Sequence, residues 1–525
     1  MELSSPKLRN KAPQGHRFVA RAEGRPCSRP RFYRRVVLPG TALLVLLGCG
    51  GSTATPDEAS GVASSSSSGA GAGGSGAGGG GSSSSGTGGG PTAPCDTSTW
   101  SRALHDNTQS NYPTVAVDAD CGVIVSGEFR DTIDLGGGPL NGGDGALFLA
   151  RYDSAGSHLW SRRLEGTGWH RVAWHPDGMA LVGHGSTTAD LGCGPFPGTV
   201  GVYGTVAWVA LLDAQGDCIW SRSVPSALGS GPTNLAVGPQ GDIVLVGEFK
   251  ETIDLGTGPL TSAGYKDGFV AKLTPTGEVL WVERLGGPNL DELRGVAVNE
   301  AGSILLGGGF YGTMTVAGSV LESGDSHAGL VVGLSSEGEY AHGQVIHGGE
   351  AGASVSSVAA GPDGLWLAAG IFEGFIELDG LVPSAGDYDG FVVALDSNGT
   401  RRWATTFGGA GRDWVDAVAS DPWGNALVAG VFQLPGESPG APEDTALIKY
   451  GPSGELLASR GFGRPFDSWD RGTAIVTDRA GQAILAGRFR HTADLGTSSG
   501  PMVETGPGAP KNDTFVARID LSLAP

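Results

Sequence analysis

The apolar positions of this chain form short runs of strand length, and the runs recur in groups of four. In the group between Trp220 and Trp281, each run is rich in Val, Ile, Leu or Phe and is bounded by Gly, Pro or Asp. We name the runs a, b, c and d in chain order; they span 234–238, 242–249, 267–273 and 278–285. Such runs predict β-strands. Because no stretch of the body sustains a 3.6-residue periodicity, the pattern predicts an all-β protein.

The whole group of runs repeats along the chain. The stretch "GEFRDTIDLGGGPL" at 127–140 returns as "GEFKETIDLGTGPL" at 247–260. Run d carries a tryptophan at positions 100, 160, 220, 281 and 403. Self-similarity at such a period indicates a repeat architecture, and runs a, c and d can each be counted seven times.

The phase of the repeats predicts how their ends are joined. The body opens on a d run that contains Trp100 and ends on a c run at 513–521, so the opening run can supply the strand that the last group lacks. A propeller joined in this way leaves no sheet edge open at the junction. We therefore predict that residues 95–525 form a seven-bladed β-propeller of four-stranded blades, closed by the N-terminal strand pairing with the C-terminal blade.

The N-terminal segment has the pattern of an export signal. A basic stretch precedes the apolar run 36–47, which is shorter than the ~20 residues that a membrane-spanning helix needs. It ends in "LLGC", which resembles the lipobox of bacterial lipoproteins and implies cleavage before Cys49 and lipidation of its sulfur. We predict a signal peptide at 1–48 and, at 49–94, the lipidated cysteine with a disordered Gly/Ser-rich tether. An ordinary signal peptide with an unrelated cysteine is the alternative.

The charge of the chain argues against one class of partner. The net charge is −20, but residues 1–48 carry ten Lys/Arg and two Asp/Glu, so the remainder carries −28. A body this acidic repels phosphate backbones, and nucleic acid is therefore not an expected partner. Cations, basic surfaces and neutral glycans stay open.

The repeat also resembles a known family. The stretch "GEFKETIDLGTGPL…DGFVAKLTPTGEVLWVERLGG" is similar to the repeat of bacterial surface lipoproteins with seven-bladed β-propeller (SBBP-type) repeats. The resemblance covers about 95–525 and is strongest in the first and third units. It implies an extracytoplasmic location and a binding or scaffolding role, and it carries no catalytic residues to transfer.

One acidic position recurs in the repeat. It is Asp134 in "TIDLG" and returns as Asp190, Asp254 and Asp494, with Glu377 in a fifth unit. These carboxylates would form either a ring of cation ligands or a set of caps that accept backbone N–H bonds at the start of the b–c loop. Recurrence in nearly every repeat favours the caps, because a single site needs only some of the repeats.

The recurrent tryptophans follow a pattern of their own. Segments 150–160, 210–220 and 271–281 fit A-x₅-G-x₃-W, which resembles the tryptophan-docking motif of quinoprotein (PQQ) dehydrogenases. The resemblance implies that each Trp packs between adjacent blades. The sequence has no adjacent Cys-Cys pair, and quinone chemistry is not expected from it.

The loops that join run d to the next run a are long and variable, and they hold the candidate binding residues. They contain "GGPNLDELRG", "GGAGRDWVDA" and "GRPFDSWDRG", and each leads into an innermost strand. Carboxylates there would suit Ca²⁺, and tryptophans beside carboxylates would suit a sugar. The alternative is a solvated acidic rim. The candidates are Asp291, Glu292, Asp413, Trp414, Asp416, Asp467, Trp469 and Asp470.

Four cysteines remain once Cys27 leaves with the signal and Cys49 is lipidated. In an oxidising compartment their even number predicts two disulfides, with three possible pairings. We favour Cys95–Cys121, since both residues fall on the turn face at the ring closure, and Cys193–Cys218 then follows.

These observations favour a monomeric, lipid-anchored surface propeller that binds a glycan or protein through its long-loop face. No HExxH, Cys-x-x-Cys or G-x-S-x-G motif occurs, and no cofactor is firmly implied apart from Ca²⁺ as an option. We expect a non-catalytic role. The alternatives are a glycan-active hydrolase or lyase that uses the loop carboxylates, and a purely structural surface module.

Overall fold

A computed structural model describes the body of the chain. The described residues are 95–104, 113–166, 168–186, 190–196, 205–224, 231–437, 444–462, 470–489, 492–503 and 513–521. The predicted signal peptide, Cys49 and the tether lie outside them. Within these ranges the secondary structure is β apart from the short 3₁₀ turn Pro362–Gly364. None of the described segments forms a helix with the length and apolarity to cross a membrane.

The strands are numbered in chain order. The first eleven are β1 (Trp100–Leu104), β2 (Thr114–Val117), β3 (Val123–Asp134), β4 (Pro139–Tyr152), β5 (His158–Leu164), β6 (His170–His175), β7 (Gly178–Ser186), β8 (Thr205–Leu212), β9 (Cys218–Val224), β10 (Gly231–Val237) and β11 (Ile243–Phe249). The next twelve are β12 (Thr252–Asp254), β13 (Pro259–Thr261), β14 (Asp267–Leu273), β15 (Val279–Gly286), β16 (Asp291–Val298), β17 (Ile304–Val316), β18 (Ser319–Leu334), β19 (Tyr340–His347), β20 (Ala353–Ala360), β21 (Trp366–Phe372), β22 (Phe375–Glu377) and β23 (Leu381–Pro383). The last eleven are β24 (Asp389–Leu395), β25 (Arg401–Phe407), β26 (Trp414–Ser420), β27 (Ala426–Phe432), β28 (Asp444–Tyr450), β29 (Leu456–Phe462), β30 (Arg471–Thr477), β31 (Ala483–Phe489), β32 (Thr492–Ala493), β33 (Met502–Val503) and β34 (Asp513–Ile519).

The strands pair as antiparallel meanders, as the four-run pattern predicts. The four-stranded sheets are β2-β3-β4-β5, β6-β7-β8-β9, β20-β21-β24-β25 and β26-β27-β28-β29. Strands β10-β11-β14-β15 and β16-β17-β18-β19 are two further meanders, linked into one eight-stranded sheet by pairing of β15 with β17. Three two-stranded ribbons, β12-β13, β22-β23 and β32-β33, extend the loops between second and third strands.

The first described strand belongs to the last sheet. Strand β1 pairs with β34 from Trp100↔Arg518 to Leu104↔Thr514, which gives a sheet of order β1-β34-β31-β30. The outer strand of the C-terminal sheet is therefore β1, the first strand of the described residues.

The first strand of each meander contacts the first strand of the next. Strands β2, β6, β10, β16, β20, β26 and β30 follow one another in this way, and β30 also contacts β2. Side chains reinforce the contacts: Thr233 Oγ1 donates to the Leu293 carbonyl at 2.7 Å. Thr473 Oγ1 donates to the Pro113 carbonyl, just before β2, at 2.8 Å.

The core lies between the faces of neighbouring sheets, and it explains part of the repeated sequence. Phe249 and Phe269 are fully buried, with ring centroids 6.2 Å apart and an edge-to-face angle of 64°. Burying such a ring stabilises the fold by about 2–3 kcal/mol. A Cβ on Gly247 would come within 2.4 Å of the Phe269 ring. The Gly of "GEF" is therefore needed to admit the phenylalanine of the next strand.

The recurrent acidic position caps the corner that follows the second strand in four of the repeats. Asp134 Oδ1 accepts the N–H of Gly136 at 2.8 Å and of Gly138 at 3.1 Å, and both glycines have positive φ. Asp190 and Asp254 accept the same pair of N–H bonds, and Asp494 Oδ1 accepts the Gly496 N–H at 2.8 Å. The prediction of a backbone cap is confirmed at these four aspartates, and the fourteen repeated residues are those that build one corner.

The tryptophan pattern joins one sheet to the next. Trp220 Nε1 donates to the Pro275 carbonyl at 2.9 Å, and the ring lies against Gly277, whose φ is 84°. The A-x₅-G-x₃-W spacing thus places each Gly under the Trp of the preceding sheet, as the docking resemblance implies. Equivalent bonds are made by Trp100, Trp160, Trp281 and Trp403.

Both predicted disulfides are confirmed. Cys95 pairs with Cys121, with Cα atoms 5.7 Å apart, and so ties the residues before β1 to the turn between β2 and β3. Cys193 pairs with Cys218, with Cα atoms 5.5 Å apart. The first bridge holds the start of the folded body to another sheet.

Candidate functional site

A cavity of about 570 Å³ opens where the innermost strands begin, at the ends that the long loops feed. We call it the mouth cavity. It draws on β6, β7, β10, β11, β16, β20, β26 and β30 or the residues beside them. Its lining residues are Trp169, Arg171, His184, Gly231, Pro232, Thr233, Glu248, Arg294, Ser356, Trp414, Val415, Asp416 and Arg471.

Four lining side chains occupy one structural position in successive sheets. In β10, β16, β20 and β26 the register with the second strand skips one residue, which forms a β-bulge. A bulge re-aims the extra residue, and here it turns that residue towards the cavity. The bulged residues are Thr233, Arg294, Ser356 and Asp416.

A second cavity, of about 350 Å³, continues among the innermost strands. Arg171, Arg294, Ser356 and Asp416 border both cavities. Beyond them its walls are largely the Val, Ala, Ser and Thr side chains of β20, β26 and β30. The charged groups of the site are therefore concentrated at the mouth.

Asp416 and Arg471 form a bidentate ion pair in the cavity wall. Arg471 Nε donates to Asp416 Oδ2 at 2.7 Å, and Nη2 donates to Oδ1 at 2.6 Å. Burial raises the pKa of Asp416, and the positive charges of Arg471, Arg488 and Arg171 oppose the rise. The pair is a charged, geometrically fixed part of the wall.

Side chains of alternating charge form a row of ion pairs that runs from Glu248 to Arg294. Lys266 bonds the Glu248 carboxylate and lies 3.6 Å from Glu292, while Arg294 Nη2 donates to Glu292 Oε2 at 2.6 Å. Burial raises the pKa of Glu248, although Lys266 opposes it. Burial would also raise the pKa of Glu292, but the positive charges of Arg294 and Lys266 outweigh the effect of burial. The pKa of Glu292 is therefore lowered.

Each of the two tryptophans in the wall has an aromatic and an arginine neighbour. Arg171 lies over Trp169 at 4.6 Å from the ring centroid, and His184 stacks with the same ring at 5.9 Å. Trp414 stacks with Tyr388 at 5.7 Å, and Arg471 lies 5.9 Å from its centroid. Burial lowers the pKa of His184, so its ring is neutral at neutral pH.

The loop residues predicted from the sequence fall in different places. Trp414 and Asp416 line the mouth cavity, and Glu292 lies beside it as the partner of Arg294. Asp470 is buried directly before β30. Asp467 and Trp469 lie outside the described residues.

Asp291 and Asp413 are fully buried, and their carboxylates hold loop corners. Asp291 Oδ2 accepts the Gly287 N–H at 2.7 Å, and Asp413 accepts the N–H groups of Gly409 at 2.8 Å and Gln433 at 2.6 Å. Burial raises the pKa of Asp291 to about 7. The hydrogen bond from the Gly287 N–H opposes this rise, and the negative charge of the Asp267 carboxylate adds to it. Across the described residues no group of three or more His, Cys, Asp or Glu side chains is placed to hold a metal ion.

Six charged or aromatic residues of the cavity were not among the candidates predicted from the sequence: Trp169, Arg171, His184, Glu248, Arg294 and Arg471. A signal for part of the site was present in the sequence. A polar residue recurs in the first strand at 233, 294, 356 and 416, at intervals of 61, 62 and 60 residues. That periodic position, more than the acidic loops, marks the cavity.

Comparisons with known proteins add little to this geometry. No family model matches the chain, and no curated protein matches it. The solved structures that resemble it include the Dos1 propeller, at 9% identity and a TM-score of 0.38 over 80% of this chain and 94% of that one. Another is hydrazine synthase of Kuenenia stuttgartiensis, at 11% identity and 0.41 over 73% and 93%. A gluconolactonase of Xanthomonas campestris is similar at 12% identity and 0.31 over 79% and 88%.

The described residues have the sheet architecture of a β-propeller: four-stranded antiparallel meanders, packed face to face with their first strands in contact. Likeness at the level of these solved structures says nothing about what this chain binds or catalyses.

Proposed function

We propose that this protein is a lipid-anchored, extracytoplasmic seven-bladed β-propeller that binds its ligand in the mouth cavity. It would belong with the surface lipoproteins of SBBP type that its repeat resembles. The membrane is its partner through the lipid on Cys49, and the propeller acts as a monomeric binding or scaffold module.

The strand pairings support seven blades in a closed ring. The sheets divide into seven four-stranded meanders when the eight-stranded sheet is split at its short β15–β17 link. The pairing of β1 with β34 and the bond from Thr473 to Pro113 both join the C-terminal sheet to the N-terminal part of the chain. Such joins are what closure requires, because they leave no sheet edge open between first and last blades.

Two observations support the extracytoplasmic location. The chain carries a lipobox-like "LLGC" after a short apolar run. The two disulfides are compatible with an oxidising compartment, where such bonds persist.

The observation that carries the binding role is the mouth cavity itself. Its volume is in the range of small-molecule sites, and two tryptophans line it among a few converging polar groups. The bulges that aim Thr233, Arg294, Ser356 and Asp416 inward recur on neighbouring strands.

Binding is tested with the full-length protein in detergent on an array of neutral oligosaccharides, acidic oligosaccharides and short peptides. We expect at least one class to bind, and Trp414→Ala or Trp169→Ala to weaken that binding tenfold or more. Trp423→Ala is the matched control, because Trp423 is 61% exposed on the turn between β26 and β27. The proposal would be overturned if nothing on the array bound, or if neither Trp414→Ala nor Trp169→Ala changed the affinity.

A glycan-active enzyme is the second candidate, and one observation favours it. Glu248 and Asp416 line the same cavity, and burial raises the pKa of both. Paired carboxylates with altered pKa values perform glycoside hydrolysis in many enzymes. Each is bound to a cation here, Lys266 or Arg471, which favours ionised wall groups over a proton donor. Release of reducing ends from any arrayed glycan, abolished by Glu248→Gln while binding persists, would establish the enzyme.

A further inference from the structure

We infer that the mouth cavity takes a sugar that bears a carboxylate, a uronic-acid unit of a glycan, and that Arg294 receives the carboxylate. The inference rests on the proposed binding role and adds the chemistry of the ligand.

The charge of the cavity wall is opposite in sign to that of the body. Three guanidinium groups line the cavity, from Arg171, Arg294 and Arg471, against the two carboxylates of Glu248 and Asp416. The chain after residue 48, these five groups included, carries a net −28. Both wall carboxylates already accept bonds from cations, so a cationic ligand would have to displace Lys266 or Arg471. An anion at Arg294 would share the guanidinium with Glu292, whose carboxylate accepts from Nη2 and lies beside the cavity and not in its lining.

Arg294 has the position and the donors for this role. It is the bulged residue of β16, its side chain is 43% exposed, and it borders both cavities. Its Nη2 donates to Glu292, and a guanidinium has five N–H donors in a fixed fork. The fork matches a carboxylate in bidentate geometry, which a lysine ammonium would not reproduce.

The neighbours of Arg294 favour a sugar over a peptide. The bulged residues on the two flanking first strands are Thr233 and Ser356, and both line the cavity. The Thr233 hydroxyl donates to the Leu293 carbonyl and keeps its capacity to accept a hydrogen bond. Hydroxyl groups on either side of a guanidinium suit a ligand that carries hydroxyls beside its carboxylate. Trp169 and Trp414 also line the cavity, and the indole area that their aromatic and arginine neighbours leave uncovered is an amphipathic surface of the kind that packs against sugar rings. Among the described lining residues, aliphatic side chains come from Pro232 and Val415, too few for a peptide's side-chain pockets.

The test is a calorimetric titration of the full-length protein in detergent with oligogalacturonate and with glucuronate-containing oligosaccharides. The fully methyl-esterified oligogalacturonate serves as the neutral probe of matched shape. We expect the acid to bind at least tenfold more tightly than the ester, and Arg294→Gln to abolish that difference. Arg401→Gln is the control, because Arg401 also pairs with a carboxylate, that of Asp379, but lies outside the mouth cavity.

The Glu292→Gln variant is expected to bind the acid more tightly, so a loss of folding could not imitate its effect. It removes the carboxylate that Arg294 bonds, so we expect the acid to bind severalfold more tightly. Equal binding of acid and ester, with Trp414→Ala still weakening both, would overturn the carboxylate inference and leave the proposed binding role standing. Failure of every uronate probe to bind would overturn the inference as well. Loss of binding to the whole oligosaccharide and peptide array would overturn the binding role itself.

Discussion

The indole of Trp220 on one sheet donates its N–H to the backbone carbonyl of Pro275 on the next sheet, at 2.9 Å. The ring of Trp220 also rests on Gly277 of the same turn. One residue thus joins two sheets by a hydrogen bond and by apolar contact, and the same join recurs at four other tryptophans.

Substitutions at Trp220 should separate these two contributions. Trp220→Phe keeps an aromatic ring and leaves the Pro275 carbonyl without its donor, so we expect a loss of about 1 kcal/mol in the free energy of unfolding. Trp220→Ala also removes the ring, and we expect a loss of about 3 kcal/mol. Urea denaturation followed by circular dichroism measures both. Equal losses for the two variants would contradict this division.

Removing the Cys95–Cys121 bridge should destabilise the body. The bridge closes a segment of sequence separation 26, for which the chain-entropy account gives about 3 kcal/mol. The double variant Cys95→Ser/Cys121→Ser should therefore melt at a lower temperature than the parent and should respond less to reductant. The Cys193→Ser/Cys218→Ser pair is the matched comparison, with a separation of 25. An unchanged melting temperature in the first double variant would show that β1 is held without its bridge.

The stability of the protein should fall as the pH rises through the range set by Asp291. Burial raises its pKa to about 7, so the folded state keeps a proton that the unfolded chain has released above its ordinary value of 3.8. The penalty is absent below about pH 4, grows as the pH rises, and is complete above pH 7, where it is at most about 4 kcal/mol.

Asp291→Asn should remove this penalty, because the amide stays neutral and its oxygen can still accept the Gly287 N–H. We expect the variant to be more stable than the parent at pH 8 and to show a flatter pH profile in urea denaturation between pH 4 and 8. Asp325→Asn makes the same chemical change at an exposed side chain and should alter neither. Parallel profiles for parent and Asp291→Asn would contradict the prediction.

Cys49→Ser should release the protein from the membrane fraction of the producing bacterium. The lipobox-like sequence implies that this sulfur carries the lipid, and a serine cannot be lipidated there. Fractionation and mass spectrometry of the N-terminal peptide measure the change. Persistence of the variant in the membrane fraction would show that something other than this cysteine anchors the chain.

Much of the fold was predictable because the same sequence features recur in most of the repeats. The strand-length runs, the Asp134-type caps and the Trp220-type joins each recur from repeat to repeat, and the structure has them where the sequence pattern places them. The disulfide pairing followed from the turn positions of Cys95 and Cys121. The orientation of the loop carboxylates was not predictable: Asp291 and Asp413 accept bonds from backbone N–H groups, and no spacing reveals which way a buried carboxylate points.

By itself the sequence determined the strands, their grouping by four and the residues that make each corner. A single repeat cannot bury both of its faces, so every repeat must carry the same groups that join it to its neighbours. Only the tertiary structure decided the mouth cavity. Thr233, Arg294, Ser356 and Asp416 lie in separate repeats and differ in type, and a one-residue bulge in β10, β16, β20 and β26 brings them to the same cavity. A bulge is a property of strand pairing, and so the site exists only once the strands have paired.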